Sequence, residues 1–195
     1  DIVLFAVKLW DTESAAAAVR PLVDNGGVII PFQNGVESIE RIGAIVGAER
    51  VMGGVAQIAA TIAEPGVIGH TGTMARLRFG AVLPAQQPAA EALFAACIGA
   101  GIDAGIVGDI RRALWEKFVF LAAISGLTSV ARQPIGVLRA DAELRATLEA
   151  AMREALRHRG YLLLTLGFFV CGFQVVFVGV HLPAYLADKG LAPHV

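Results

Sequence analysis

The chain has 195 residues, a net charge of −1 and only two cysteines. Its length suits one or two modest domains. A balance so near neutral, with no basic run interleaved with aromatics, argues against a nucleic-acid binder and favours no strongly charged partner. Cys97 and Cys171 lie far apart and lack metal-ligand spacing, which points to a reducing compartment and no disulfide framework. His70, His158, His181 and His194 form no HExxH-type cluster, so no metal site is expected.

The elements follow in order. "DIVLFAV" (1–7) is apolar on both faces, as in a central parallel strand. A strand this apolar at residue 1, with no methionine or leader, leads us to expect that a natural N-terminal segment is missing. Asp11 and Thr12 can cap a helix through "ESAAAAVRPLV", and Gly26-Gly27 closes that unit. "VIIPF" (28–32) reads as a second buried strand and "QNG" (33–35) as a tight turn. Val36, Ile39, Ile42 and Val46 give 36–47 a helical period. This rhythm is that of a doubly wound α/β sheet.

"VMGGVAQIAATI", "GVIGHTG" and "ARLRFG" predict an antiparallel extension of short strands, separated by Glu-Pro-Gly and by a Gly-Thr turn. A helix over 86–101, ended by Gly101, and a strand over 102–107 come next. The chain then turns helical. Residues 109–132 form a long apolar helix with Asp109 as N-cap. Residues 140–159 form an amphipathic one, with Leu144, Leu148, Met152 and Leu156 on one stripe.

Four positions could carry chemistry. Lys8 ends the first strand, where open α/β sheets bind ligands; it can pair with a phosphate or orient a nicotinamide-bearing ligand, or simply be a solvated lysine. Asn34, at the equivalent place after the second strand, offers a donor and an acceptor, although Asn-Gly is also a common turn dipeptide. Lys117 interrupts the apolar "LWEKFVFLAAISGL". Burying a lysine there is costly, and desolvation would lower its pKa and suit it to general acid work. The alternative is a lysine snorkelling to solvent beside Glu116. Glu154 could hydrogen-bond a ligand group, but reads rather as a surface carboxylate pairing with Arg157 or His158.

"DIVLFAVKLWDT", "IIPFQNGVES", "VMGGVAQIAATIAEPGVIGHTG" and "LWEKFVFLAAISGLTSV" occur in an order and spacing that resemble the ketopantoate reductase family over about residues 1–156. The resemblance implies an α/β fold: a Rossmann-type domain, then a helical C-terminal domain of the 6-phosphogluconate-dehydrogenase-like kind, with the active site in the cleft between them. It implies NADPH as cofactor and a small 2-oxo acid or ketone as substrate. Lys8 then matches a cofactor-contacting lysine, and Asn34 an asparagine near both nicotinamide and substrate. Ala59 falls where the backbone touches the cofactor. Lys117 matches the general acid that protonates the alkoxide as hydride reaches the keto carbon.

The chain departs from the family pattern at Leu121, Ser125 and Ile135, where substrate-binding asparagines are expected. Losing all three donor–acceptor sets leaves a much more apolar pocket, with Ser125 still a substrate-binding candidate, which argues against ketopantoate itself and for a paralogue's substrate. The GxGxxG turn that would receive the pyrophosphate is not in this sequence. We therefore expect an incomplete cofactor domain over 1–108, a partial helical substrate domain over 109–157, and little reductase activity from the chain as written.

The remaining segment is unlike the rest. Residues 160–195 carry only Asp188 and Lys189 as charges, and no Pro/Ser/Gly linker precedes them. Residues 161–180, "YLLLTLGFFVCGFQVVFVGV", are long enough to span a bilayer, and Arg153, Arg157 and Arg159 predict a cytoplasmic N-terminal side. "GFFVCGFQVVFVGVHLPAYLADKG" resembles the first transmembrane helix and loop of a major facilitator superfamily transporter. A junction between unrelated sequences is thus expected near Arg157. Three readings follow from the sequence: a cytoplasmic reductase, tethered to a membrane if the tail is real; a transporter fragment; or a non-catalytic chimeric remnant.

Overall fold

A computed structural model describes residues 1–156, in two compact units divided between Phe118 and Val119. The tail over 157–195, including the expected span over 161–180, lies outside the described residues.

In the first unit, β1 (Ile2–Phe5) and β2 (Val28–Pro31) pair in parallel, from Ile2 opposite Val28 to Phe5 opposite Pro31. The connection between them is α1 (Thr12–Val23). A parallel bridge between Ile29 and Val51 extends this pairing, and the Met52 amide donates to the Ile29 carbonyl at 3.0 Å. Every residue of β2 is buried, as its unbroken apolar run requires.

Alternation along β2 divides the core into two layers. Ile29 packs with Phe5, Ala16, Ile39, Ile42, Ile110 and other side chains of α1, of α2 (Ser38–Val46) and of the first turns of α4 (Ile110–Ala131). Val28 and Ile30 face the other way, onto Phe79, Ala90 and Cys97 of β4 (Val67–Gly80) and α3 (Gln87–Gly99). Helices on both faces of a parallel layer are what the sequence rhythm implied. β1 differs from expectation: only Phe5 is buried, and Leu4 is 54% exposed. The second layer centres on β2 and reaches β1 only at Ile2.

β3 (Gly53–Glu64) and β4 form a long antiparallel ribbon, and β5 (Asp103–Ile106) pairs in parallel with β4. Glu64-Pro65-Gly66 turns the ribbon as expected, with Gly66 at φ +84°. The expected Gly-Thr turn is not there. Gly72 and Thr73 lie within a continuous β4, where the register jumps from Ile58 opposite Ala75 to Ala60 opposite His70. The surplus residues bulge out of the ladder, and the His70 ring meets the Met74 carbonyl at 3.1 Å across the bulge.

Two cap expectations fared differently. Asp11 occupies the N-terminal position of α1 without a side-chain cap; Thr12 is instead the first, fully buried helical residue, its hydroxyl donating to the Leu9 carbonyl at 2.8 Å. Asp109 does cap α4, accepting from the Arg112 amide at 3.0 Å. Asp109→Ala is expected to cost about 1 kcal/mol, read as a lower denaturant midpoint at unchanged m-value.

The second unit holds the rest of α4, a short α5 (Ile135–Ala140) not expected from the sequence, and α6 (Ala142–Leu156). Asp141 caps α6, accepting from the Glu143 and Leu144 amides at 2.9 Å. Leu148 is buried on the predicted stripe, with Leu144 and Met152 half-buried beside it. Among the described helices, α4 alone is long and apolar enough to cross a membrane, by length and composition. Ile110 and Leu114 pack in the first core layer, and Val119, Ala122 and Ala123 are also buried.

Candidate active site

Two loops leave the carboxyl ends of β1 and β2, and a single side chain joins them. Gln33, 7% exposed, donates from Nε2 to the Val7 carbonyl at 2.9 Å and to the Thr12 hydroxyl at 3.0 Å, with a longer approach of 3.5 Å to the Lys8 carbonyl. Gly35, at φ +102°, bends the second loop against Leu9 of the first. Lys8 and Asn34 are both exposed on these joined loops. The structure thus brings an ammonium and a carboxamide to the place where an α/β sheet binds its ligands.

Arg41 of α2 braces the same loop from outside. It donates to the Leu9 carbonyl at 3.2 Å while holding Glu13 through Nε at 2.8 Å and Nη2 at 2.9 Å. The guanidinium keeps the Glu13 carboxyl below the usual carboxylate range.

Ala59 is not part of this network. It lies at the register jump of β3, exposed, about 17 Å along the strand from Gly54, where the ribbon meets Pro31.

Lys117 is carried by α4, whose first turns are fixed in the core. Ile110 and Leu114 belong to the same layer as Ile29, and Arg111 pairs with Glu40 of α2. Strand glycines make room for this seat. A methyl group on Gly53 would stand 2.5 Å from Ile110 Cγ1, and one on Gly80 would stand 2.3 Å from the Val107 carbonyl oxygen. Lys117 itself is half-buried, and burial pushes its ammonium pKa down. Glu116 pairs instead with Arg112 at 2.8 Å, so it is not the neutralising neighbour that a snorkelling lysine would use. Leu121 and Ser125 follow Lys117 at intervals of four on one helix stripe, all three half-buried. Ile135 opens α5, half-buried, and Glu154 is exposed on α6.

Gln33, Gly53 and Gly80 were not singled out from sequence. The glycines had one signal, their position in strands, where glycine often marks a close approach. No metal-competent cluster of His, Cys, Asp or Glu occurs among the described residues.

Comparison with known proteins decides the ancestry. A family model described as "Ketopantoate reductase PanE/ApbA" matches residues 1–84, and its partner, "Ketopantoate reductase PanE/ApbA C terminal", matches residues 109–158. The chain belongs to the ketopantoate reductase family. An oxidoreductase of Bacillus subtilis, YkpB, is 30% identical over 154 residues, covering 79% of this chain and 51% of that protein. A 2-dehydropantoate 2-reductase of Halobacterium salinarum is 29% identical over 157 residues, covering 80% and 51%. The crystal structure of 2-dehydropantoate 2-reductase from Geobacter metallireducens superposes with a TM-score of 0.73 at 33% identity, covering 80% of this chain and 52% of that one. The chain spans about half the length of the relatives it matches. The second family match ends at residue 158, beside the change of composition at 157–160.

Proposed function

We propose that the protein takes part in NADPH-dependent reduction of a 2-oxo acid or ketone, in the manner of 2-dehydropantoate 2-reductases. The observation that carries this reading is Lys117: a half-buried lysine with a lowered pKa, on a core-anchored helix inside the C-terminal family match. Residues 1–108 supply part of the cofactor domain and 109–157 part of the substrate domain.

The exposed Lys8 and Asn34, joined at the strand ends, fit the charged and carboxamide parts of a nicotinamide dinucleotide. When bound, the cofactor supplies a hydride to the keto carbon. Asn34 positions the carbonyl beside it; Ala59, exposed at the bulge of β3, is left out of this arrangement. The Lys117 ammonium donates a hydrogen bond to the carbonyl oxygen, stabilises the negative charge that develops there, and gives up its proton to complete the hydroxyl group. A lowered pKa makes that proton easier to release. NADPH rather than NADH rests on the family resemblance alone. Without the GxGxxG turn in these residues, the 195-residue chain is expected to be weakly active. We assign the reductase part to the cytoplasm by analogy with the family; the expected span over 161–180 would add a membrane tether.

Substrate choice follows from Leu121, Ser125 and Ile135. With one hydroxyl among them, these side chains disfavour the hydroxylated ketopantoate relative to an apolar 2-oxo acid. The test is a comparison of ketopantoate with 3,3-dimethyl-2-oxobutanoate, which lacks only the hydroxyl, using the protein as its gene encodes it. The expected result is preference for the apolar acid, with Leu121→Asn and Ser125→Asn together shifting kcat/KM towards ketopantoate about 10-fold or more. Preference for ketopantoate in the unaltered protein would overturn this assignment.

A further inference from the structure

We infer that Gln33 is a positioning residue that sets Lys8 and Asn34 in register for the cofactor without touching it. The inference rests on the functional reading above. Gln33 is buried, and its Nε2 addresses three groups of the Val7–Thr12 segment: the Val7 carbonyl, the Lys8 carbonyl and the Thr12 hydroxyl. Thr12 passes the interaction on, donating to the Leu9 carbonyl at 2.8 Å. The backbone of Val7, Lys8 and Leu9 is therefore tied, directly or through one hydroxyl, to the residue that precedes Asn34.

Stability alone accounts poorly for this amide. Its Oε1 is buried with no hydrogen-bond partner among the described residues. An unsatisfied buried acceptor is unfavourable, and an apolar side chain of similar length would avoid that loss. What an apolar side chain cannot do is hold two loops at a fixed offset. Lys8 has extended backbone (φ −66°, ψ 152°) and an exposed side chain, so its own packing does not fix its direction. Its carbonyl is held by the Asp11 amide at 3.0 Å and approached by Gln33.

A double-mutant cycle on the protein as its gene encodes it, read by NADPH fluorescence, tests this. Gln33→Met is expected to raise the NADPH Kd about 10-fold and to quicken amide exchange at Leu9–Asp11, but not in β2. Lys8→Ala added to Gln33→Met is expected to cost little more, because the first change has already misplaced the lysine. Gln86→Met is the control. Gln86 is more deeply buried still and bonds the Val51 carbonyl at 2.9 Å and the Val82 amide at 2.7 Å, so its loss should lower Tm without changing Kd. If Gln33→Met does not fold, Thr12→Val, which keeps Gln33 and cuts the link to Leu9, should raise Kd by a smaller factor. Wild-type Kd in the folded variants, or full additivity of Gln33→Met with Lys8→Ala, would overturn the inference alone. No NADPH binding by the unaltered protein would overturn the functional reading and this inference with it.

Discussion

Lys117→Ala is expected to lower kcat by about 100- to 10,000-fold with little change in fold or in NADPH affinity. The size follows from two losses at once, the proton donor and the cation beside the developing oxyanion. Lys117 is also expected to govern the pH profile. Its proton must be present for the chemical step, so kcat/KM should fall as pH rises through its folded pKa. Burial lowers that pKa, so the falling limb should lie below the range of an ordinary lysine. The stability effect runs in the opposite sense. The fold disfavours the charged form, so its stability cost is full below the folded pKa and is relieved as pH climbs towards the unfolded value. Lys117→Met should therefore raise Tm at neutral pH, with the gain shrinking in alkali. A falling limb unmoved in Lys117→Arg, or retained activity in Lys117→Ala, would assign the acid elsewhere.

Gly53→Ala is expected to be strongly disruptive for so small a change, at about 1–3 kcal/mol. Its new methyl group would stand 2.5 Å from Ile110 Cγ1 and 2.8 Å from Cγ2. Those carbons belong to a β-branched side chain with no fractional exposure to spare, 2%, so the helix must move rather than the side chain. Lys117 lies two turns further along α4, so the displacement should lower kcat as well as stability. Ile110→Ala removes the obstacle and leaves a cavity, costing about 2–5 kcal/mol alone. The double variant should cost less than the sum of the two, because each relieves the other's fault. Equilibrium unfolding of all four proteins reads this directly; strict additivity would mean that Gly53 and Ile110 do not share the contact.

Much of the fold was legible because local signals agreed with one another. β2 announced itself as an apolar run between turn residues, α2 by its period, α4 by Asp109 and a long apolar stretch. The exceptions have physical causes. The bulge at Gly72 resembles a turn in sequence, since both need a glycine at positive φ (here +76°), and only cross-strand register tells them apart. The short α5 follows Pro134, and a proline that marks a turn in sequence can equally pre-set the entry to a helix. Lys8, Asn34 and Lys117 stand out in the sequence as polar residues in apolar surroundings, each at a strand end or on a helix. The supports escaped notice because their work is long-range. Gln33 bonds residues some 21 to 26 positions earlier, and Gly53 meets a helix that begins at Ile110. Neither separation leaves a local pattern.

The most direct measurement is isotopic. The protein as its gene encodes it is incubated with a set of 2-oxo acids and NADPH carrying deuterium at the transferable position of nicotinamide C4, and the products are weighed by mass spectrometry. Because the readout counts product rather than rate, it serves a weak enzyme as well as a fast one. The expected result is a 2-hydroxy acid with one deuterium on carbon 2, in amounts that fall to background in Lys117→Ala. No deuterated hydroxy acid from any member of the set, or equal amounts from Lys117→Ala, would contradict a reductase built around that lysine.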